Sequence, residues 1–402
     1  MPYRILTRKT LPEYLLAVPQ IRDFFGTSPL EVEEIGDGNL NFVFVVRSAE
    51  EPRKSLIVKQ AVPYLRCAGE GYALSRERMT FEIRALQGYT RHAPRLYHAD
   101  EAMSLVVMEH LSDHTILRKG LMEATRYPRF AEHIADFLAE TLFRSSSLHL
   151  PSDEKRRLID RFNANTELCR LTEDFVFTFP YMPNETNRIE PECRKEAEAL
   201  FADVAFKRRV LGLKYLFMNR TDALLHGDLH TGSIMVNAEE TFVIDPEFAF
   251  VGPFGFDIGA LFANLGSAYI SHFYRGGGES YRTWLLETVE EVWKRFESAF
   301  LALWAQTPSS ALLTPGYLDS GDLEPFMRDF MREILRQSAG FAGCKMARRV
   351  FGIAGVEEIR GLADPAERKE AMMRALATGR ALVMAHDRIE SVEEIVEIIG
   401  RA

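Results

Sequence analysis

The sequence predicts an α+β chain in two lobes, a small antiparallel β-rich N-terminal lobe over residues 1–111 and a larger, mainly helical C-terminal lobe over residues 112–402. Three observations carry that expectation. Short β-type runs separated by turn signals fill the stretch from Glu31 to Leu111, and long amphipathic segments replace them after His110. The 402 residues, at roughly 100 to 200 per domain, also make two or three packed units or two lobes sharing a cleft.

In chain order, the β-type runs are Val32 to Ile35, Asn41 to Val46, Ser55 to Gln60, Leu96 to Ala99 and Met103 to Met108, expected as one antiparallel sheet. One helix interrupts them, Arg76 to Tyr89, where Met79, Ile83 and Leu86 recur at spacings of four and three and form a single apolar face. Helical periodicity then runs through Phe130 to Phe143, Glu192 to Leu216, Tyr281 to Trp304 and Met327 to Ala339, with one clear β-hairpin among them. Pro/Gly-rich punctuation at Phe179 to Pro183 and Arg275 to Gly278 reads as surface loops inside the second lobe.

Composition bounds the function classes. Apolar residues make up 47% and charged residues 27%, as in ordinary globular proteins, so disordered, collagen-like and disulfide-scaffold classes drop out. A net charge of −9 leaves no global footprint for nucleic acid or an anionic membrane. Cys67, Cys169, Cys193 and Cys344 lie far apart with no C-x-x-C pair, which fits a reducing cytoplasm. The first residues lack an apolar signal-peptide core, and no run approaches a membrane span, so a cytoplasmic, membrane-free protein is expected.

Gly36-Asp37-Gly38-Asn39-Leu40-Asn41 is a strand-to-strand turn whose glycines supply positive φ angles. A missing Cβ also lets backbone N–H groups approach phosphate oxygens, with Asn41 bracing the loop or a triphosphate. Lys59 sits in the next strand and Glu82 in the helix that follows. A lysine held in a sheet needs a counter-charge, and a glutamate from the packed helix supplies it while the ammonium reaches a phosphate. Glu109, His110 and Leu111 end the sheet where the pattern turns helical, so this connector is expected to back an interlobe cleft where an adenine ring lies against apolar walls.

The sharpest constellation is His226-Gly227-Asp228-Leu229-His230-Thr231-Gly232-Ser233, followed by a hairpin and Ile244-Asp245-Pro246-Glu247. Closing the hairpin is expected to bring Asp228 beside Asp245. Asp245 and Glu247, two apart on extended chain, project to one side. Clustered carboxylates repel unless a cation separates them. Magnesium takes hard oxygen ligands and keeps phosphate oxygens in its sphere, so Asp245 and Glu247 are candidate ligands, leaving Asp228 to accept the proton of an attacking hydroxyl. His226 and His230 are expected to scaffold the loop rather than bind a soft metal.

These residues resemble the aminoglycoside phosphotransferase and choline kinase branch of the protein-kinase-like fold and, more closely, the S-methyl-5-thioribose kinase family. The carriers are Glu34 to Asn41, Val58 to Tyr64, His226 to Ser233, Ile244 to Phe250 and Gly340 to Arg349, nearly the length of the chain. The resemblance implies phosphorylation of the 1-hydroxyl of 5-methylthioribose in methionine salvage, and a homodimer. It implies ATP contacts from Asn41, Lys59, Glu82, the Glu109 to Leu111 connector and Asp245, Pro246 and Glu247, with Asp228 touching sugar and serving as base. It also assigns sugar recognition to Arg348 and Arg349, which point about 100° apart on a helix; Arg348 is the preferred contact.

Two departures stand out. Ser233 occupies the place of an asparagine that contacts metal in most of the broader branch, though the thioribose kinases share the serine. Glu70-Gly71-Tyr72-Ala73-Leu74 lies where that family often carries tryptophan. The nearest rival reading is an aminoglycoside or choline kinase, which the arginine pair opposes because cationic acceptors need carboxylate-lined pockets. A catalytically dead nucleotide-binding regulator is opposed by intact Lys59, Asp228, Asp245 and Glu247, and an ordinary protein kinase by the missing His-Arg-Asp and Asp-Phe-Gly elements.

Overall fold

The structure is a computed structural model that describes residues 3–35, 41–65 and 69–402. The glycine turn expected at 36–40 lies outside the described residues. The chain divides into two compact units, Met1–His114 with Phe242–Ala249, and Thr115–Thr241 with Phe250–Ala402.

The first unit opens on two short helices, α1 (Leu11–Leu16) and α2 (Pro19–Phe25). Sequence periodicity misses them because each spans fewer than two full turns. Strands β1 (Leu30–Glu34), β2 (Asn41–Ser48) and β3 (Ser55–Ala61) follow, then the small pair β4 (Tyr64–Leu65) and β5 (Gly69–Ala73), helix α3 (Arg78–Gly88), and strands β6 (Leu96–Asp100) and β7 (Leu105–Glu109). The sheet runs β1-β2-β3-β7-β6 with every pair antiparallel, as expected. β7 starts two residues later than its sequence suggests: Asp100 Oδ1 accepts the Met103 N–H at 2.9 Å and Ser104 takes φ 48°, so a turn consumes the start of that run.

Period-two alternation sorts the sheet's side chains onto two faces. Leu56, Val58, Leu105 and Val107 pack with Leu11, Leu15, Ile21 and Phe25 of α1 and α2. Ala61, Val106 and Met108 pack with Met79, Ile83 and Leu86 of α3. Lys59 shares the parity of Ala61, so its side chain leaves the sheet on the α3 face. The later return of the chain is stitched in where the Val243 N–H donates to the His92 carbonyl at 2.6 Å.

The second unit begins with β8 (Thr115–Ile116), α4 (Leu117–Met122), α5 (Phe130–Arg144), α6 (Ser152–Asn163) and α7 (Thr166–Phe177). The expected helical run from Glu192 to Leu216 is broken into α8 (Arg194–Ala202) and α9 (Val204–Asn219), because the Asp203 carboxylate accepts the Phe206 N–H at 3.0 Å and caps a new helix. Strands β9 (Ala223–Leu225), β10 (Ile234–Val236) and β12 (Phe250–Gly252) are short, and β9 pairs with β12 and β10 with β8; β11 (Thr241–Val243) carries the chain from this unit back into the first. The remaining helices are α10 (Gly255–Ser271), α11 (Gly278–Ala305), α12 (Ser320–Phe351), α13 (Glu357–Arg360), α14 (Pro365–Ala385) and α15 (Val392–Gly400).

Every residue of α10 is buried, as an all-round apolar helix must be. The long helix α12 is buried continuously over residues 337–350. It approaches α14 closely enough that a Cβ on Gly343 would lie 2.5 Å from the Gly379 carbonyl oxygen, and one on Gly379 2.8 Å from that of Gly343. The surface loop expected at Phe179 to Pro183 is instead a 3-10 turn with Pro180 and Tyr181 buried, because the Tyr181 hydroxyl donates to the Cys344 carbonyl at 3.0 Å. Cys169, Cys193 and Cys344 are free thiols. Among the described residues, no helix is long and apolar enough to cross a membrane.

Candidate active site

In the first unit, Lys59 Nζ lies 2.9 and 2.8 Å from the two carboxylate oxygens of Glu82 on α3, and it also donates to Asp245. Burial works against the charged lysine, but Asp245, Glu82 and Glu247 outweigh it and hold its pKa above the ordinary value. Burial in turn pushes Glu82 and Glu247 up, each sitting beside further negative charge. Glu247 accepts from Asn41 Nδ2 at 2.9 Å, and Arg78 Nε stands 3.6 Å from the same oxygen. Arg78 also donates to Asn41 Oδ1 at 2.9 Å and to the Val62 carbonyl at 3.0 Å. Asn41, assigned to bracing, thus holds Glu247 in place.

Glu82, Asp245 and Glu247 each bring one carboxylate oxygen within 4.8 Å of the others, an all-oxygen set that suits a hard divalent cation such as magnesium. Lys59 faces both carboxylate oxygens of Glu82 and reaches only Oδ1 of Asp245, so Asp245 and Glu247 are the members less committed to the ammonium and the pair that fits a metal. Asp245 is the exposed member, with 45% of its side chain open. Its φ of 67° is uncommon for a non-glycine residue and marks a locally strained position. Pro246 sits buried between the two carboxylates and its carbonyl accepts the Ala249 N–H at 3.2 Å.

At the end of the sheet, the Glu109 N–H donates to the Arg95 carbonyl at 2.8 Å while Glu109 Oε2 accepts the Arg95 N–H at 3.1 Å. His110 Nδ1 lies 2.8 Å from the Ser55 hydroxyl, and Leu111 is buried. The connector's side chains are therefore tied to their own unit.

In the second unit, β9 delivers the chain into a loop built on buried Asp257 of α10, whose carboxylate accepts the N–H groups of His226 at 2.6 Å and Gly227 at 3.1 Å. Gly227 takes φ 83°, and the Asp228 N–H donates to His226 Nδ1 at 3.3 Å. His230 Nδ1 accepts the Gly232 N–H at 3.0 Å, which assigns its proton to Nε2, 3.5 Å from Asp228 Oδ2. Burial pushes the His230 pKa down to about 3, so the ring is neutral. Both histidines hold the loop. The Ser233 hydroxyl lies 3.1 Å from His230 Nδ1 and donates to the Asp228 carbonyl at 3.4 Å, so it too serves the loop.

Asp228 receives a charge-assisted bond from Lys345 Nζ at 3.0 Å. Burial opposes its ionisation, yet the positive charges of Lys345, Arg348 and Arg349 prevail and hold the carboxyl well below the usual range. Burial brings the Lys345 pKa down to about 8. Arg348 and Arg349 are both buried on α12, and burial with crowding by Arg348 and Arg118 lowers Arg349 to about 9.

Sequence reasoning assigned no role to Arg78, Arg118, Asp257 or Lys345. Lys345 carries a usable signal, a lone cation in the apolar stretch Ala339 to Ala347, where a buried charge demands a partner.

A small sheet unit with a buried lysine–carboxylate cluster, and a second unit presenting an ionised aspartate from a histidine-braced loop, are the parts of a phosphoryl-transfer enzyme. The family model described as phosphotransferase enzyme family matches residues 31–309. Methylthioribose kinase 1 of Oryza sativa subsp. japonica is 40% identical over 409 residues, covering 98% of this chain and 94% of that protein. A methylthioribose kinase from a Geobacillus species is 40% identical over 378 residues, covering 93% and 91%; one from Escherichia coli is 38% identical, covering 98% and 97%. The chain belongs to the phosphotransferase enzyme family and, within it, to the methylthioribose kinases. Among solved structures, a choline kinase from Cryptosporidium parvum is similar at 14% identity, with a TM-score of 0.48 and 97% of each chain covered.

Proposed function

We propose that this kinase transfers the γ-phosphoryl group of ATP to the 1-hydroxyl of 5-methylthioribose, giving 5-methylthioribose 1-phosphate in methionine salvage. The observation that carries this reading is the setting of Asp228, ionised and surrounded by Lys345, Arg348 and Arg349. A cationic antibiotic or choline would be repelled there, whereas a neutral sugar is not. The names of the similar proteins support the same substrate.

The step forms a bond between the sugar O1 and the γ-phosphorus and breaks the bond from that phosphorus to the β,γ-bridging oxygen; the hydroxyl proton passes to the Asp228 carboxylate as general base. Arg348 hydrogen-bonds the sugar hydroxyls, with Arg349 beside it. Lys59, oriented by Glu82, contacts the nucleotide phosphates, and Asn41 steadies Glu247. Glu109, His110 and Leu111 border adenine. Asp245 and Glu247, with Pro246 fixing their spacing, would hold magnesium, which when bound neutralises phosphate charge. Residues 1–111 serve as the nucleotide-binding lobe and residues 112–402 as the catalytic and sugar-binding lobe. A cytoplasmic homodimer belongs to this reading on the family resemblance. ADP release measured with methylthioribose, kanamycin and choline tests it: turnover with methylthioribose alone is expected, and turnover only with kanamycin or choline would overturn it.

A further inference from the structure

We propose that Arg118 completes, with Arg348 and Arg349, a site for a phosphate monoester dianion, and that the sugar 1-phosphate product is held there by its phosphate without help from nucleotide. The inference rests on the phosphotransferase reading and adds a binding residue and a product-bound state to it.

Arg348 and Arg349 are each only 7% exposed. Arg348 Nε, Arg349 Nε and Nη2, and Arg118 Nη2 are all buried without a hydrogen bond. Buried donors are nearly always paired, and leaving several guanidinium N–H groups of one cluster without acceptors is costly, so the cluster is built around an acceptor that arrives from outside. Arg118 comes from α4 rather than α12. Its Nε stands 3.5 Å from Glu358 Oε2, an ion pair with a carboxylate that is 2% exposed, which fixes the direction of the guanidinium. Its Nη1 lies over the Asp228 loop, 3.1 Å from where a Cβ on Gly232 would be. A Cβ at 232 would crowd both that guanidinium and the His230 ring, so glycine there gives them room.

Charge specifies the ligand. Arg118, Lys345, Arg348 and Arg349 outnumber the carboxylates among them. Lys345 occupies Asp228, Arg118 occupies Glu358, and Asp257 is committed to backbone N–H groups. The remaining positive charge belongs to the two buried arginines of α12, whose pKa values burial lowers. A neutral sugar cannot compensate it. A phosphate monoester presents two negative charges and three acceptor oxygens, which planar guanidinium forks bind in pairs. The product carries that group and the acceptor sugar does not.

The test is calorimetric titration of the full-length protein, free of nucleotide and metal, with α-D-ribose 1-phosphate, inorganic phosphate and ribose. Ribose 1-phosphate is expected to bind more tightly than inorganic phosphate or ribose. Arg118→Gln is expected to weaken it by about 10- to 100-fold, the loss of one charge-assisted contact, while moving ribose affinity less than twofold. Arg118→Lys keeps the charge without the fork and falls between, and a circular-dichroism melt of each variant reports folding. Wild-type affinity for ribose 1-phosphate in Arg118→Gln, or wild-type protein that binds it no better than ribose, overturns the inference. Equal affinity for inorganic and sugar phosphate overturns the product assignment. ADP release with methylthioribose separates the two readings: turnover without sugar-phosphate binding removes this inference alone, and binding without turnover on any sugar removes the kinase reading while leaving the anion site.

Discussion

The ammonium of Lys345 and the carboxylate of Asp228 stand 3.0 Å apart, joining the middle of a buried helix to the loop that presents the proposed base. The pairing keeps the base ionised and takes one of its two oxygens. Replacing Lys345 with methionine removes the cation, so the Asp228 pKa rises. A general base works only when ionised, so the acid limb of the kcat/KM profile moves to higher pH. In the wild type, Lys345 loses its proton as pH climbs through about 8 and releases a more basic Asp228, an inflection the variant should lack. Profiles recorded from pH 5 to 10 check this; superimposable curves would refute it.

Asp228→Asn keeps the shape of the side chain and removes its basicity. Turnover should fall about 10²- to 10⁴-fold, the usual worth of a positioned base. ATP affinity should stay within twofold, because Lys59, Asp245 and Glu247 are untouched. Steady-state kinetics and nucleotide titration on one preparation decide the matter.

Arg78 is buried against Glu247 and Asn41. Arg78→Ala leaves Glu247 its Asn41 bond but removes the buried cation beside it, and breaking such a pair costs up to about 3–5 kcal/mol. Urea unfolding should show that loss, and KM for ATP should rise as Glu247 loses its anchor. A variant as stable as wild type would remove Arg78 from the scaffold.

Chelation should abolish turnover, with magnesium restoring it. Glu247→Gln should raise the magnesium concentration giving half-maximal rate while leaving KM for the sugar unchanged; an unaltered requirement would take Glu247 out of the ligand set.

Gly343 lets α12 pass against α14. Gly343→Val inserts a branched side chain where a carbonyl already sits, and overpacking of this kind costs about 1–3 kcal/mol. Thermal unfolding measures it. Because the same helix carries Lys345, Arg348 and Arg349, KM for the sugar should rise as well.

Where chemistry and period coincide, the sequence was readable. The Lys59–Glu82 pair followed from a strand lysine one element ahead of an amphipathic helix, and the antiparallel sheet from alternating runs. Asp203 shows the limit: an unbroken apolar rhythm hid a capping residue, because a cap depends on one side-chain bond and not on periodicity. Arg118 and Glu358 were invisible for a different reason. They lie 240 positions apart, each unremarkable in its local sequence, and only tertiary folding pairs them. Tyr181 stood in a Pro-rich stretch that resembles surface loop, yet its hydroxyl found a helix carbonyl.

The first unit is assembled from two separated stretches, Met1–His114 and Phe242–Ala249, with 127 residues of the other unit between them. On a ribosome, Lys59 and Glu82 therefore emerge long before Asp245 and Glu247. At about 5–20 residues per second, the nascent sheet waits roughly 6 to 25 seconds for its last strand-flanking segment. During that interval the Asn41 and Arg78 side chains lack the glutamate they later share, and a stalled or truncated chain ending before residue 242 would expose an incompletely compensated interior to chaperones and proteases.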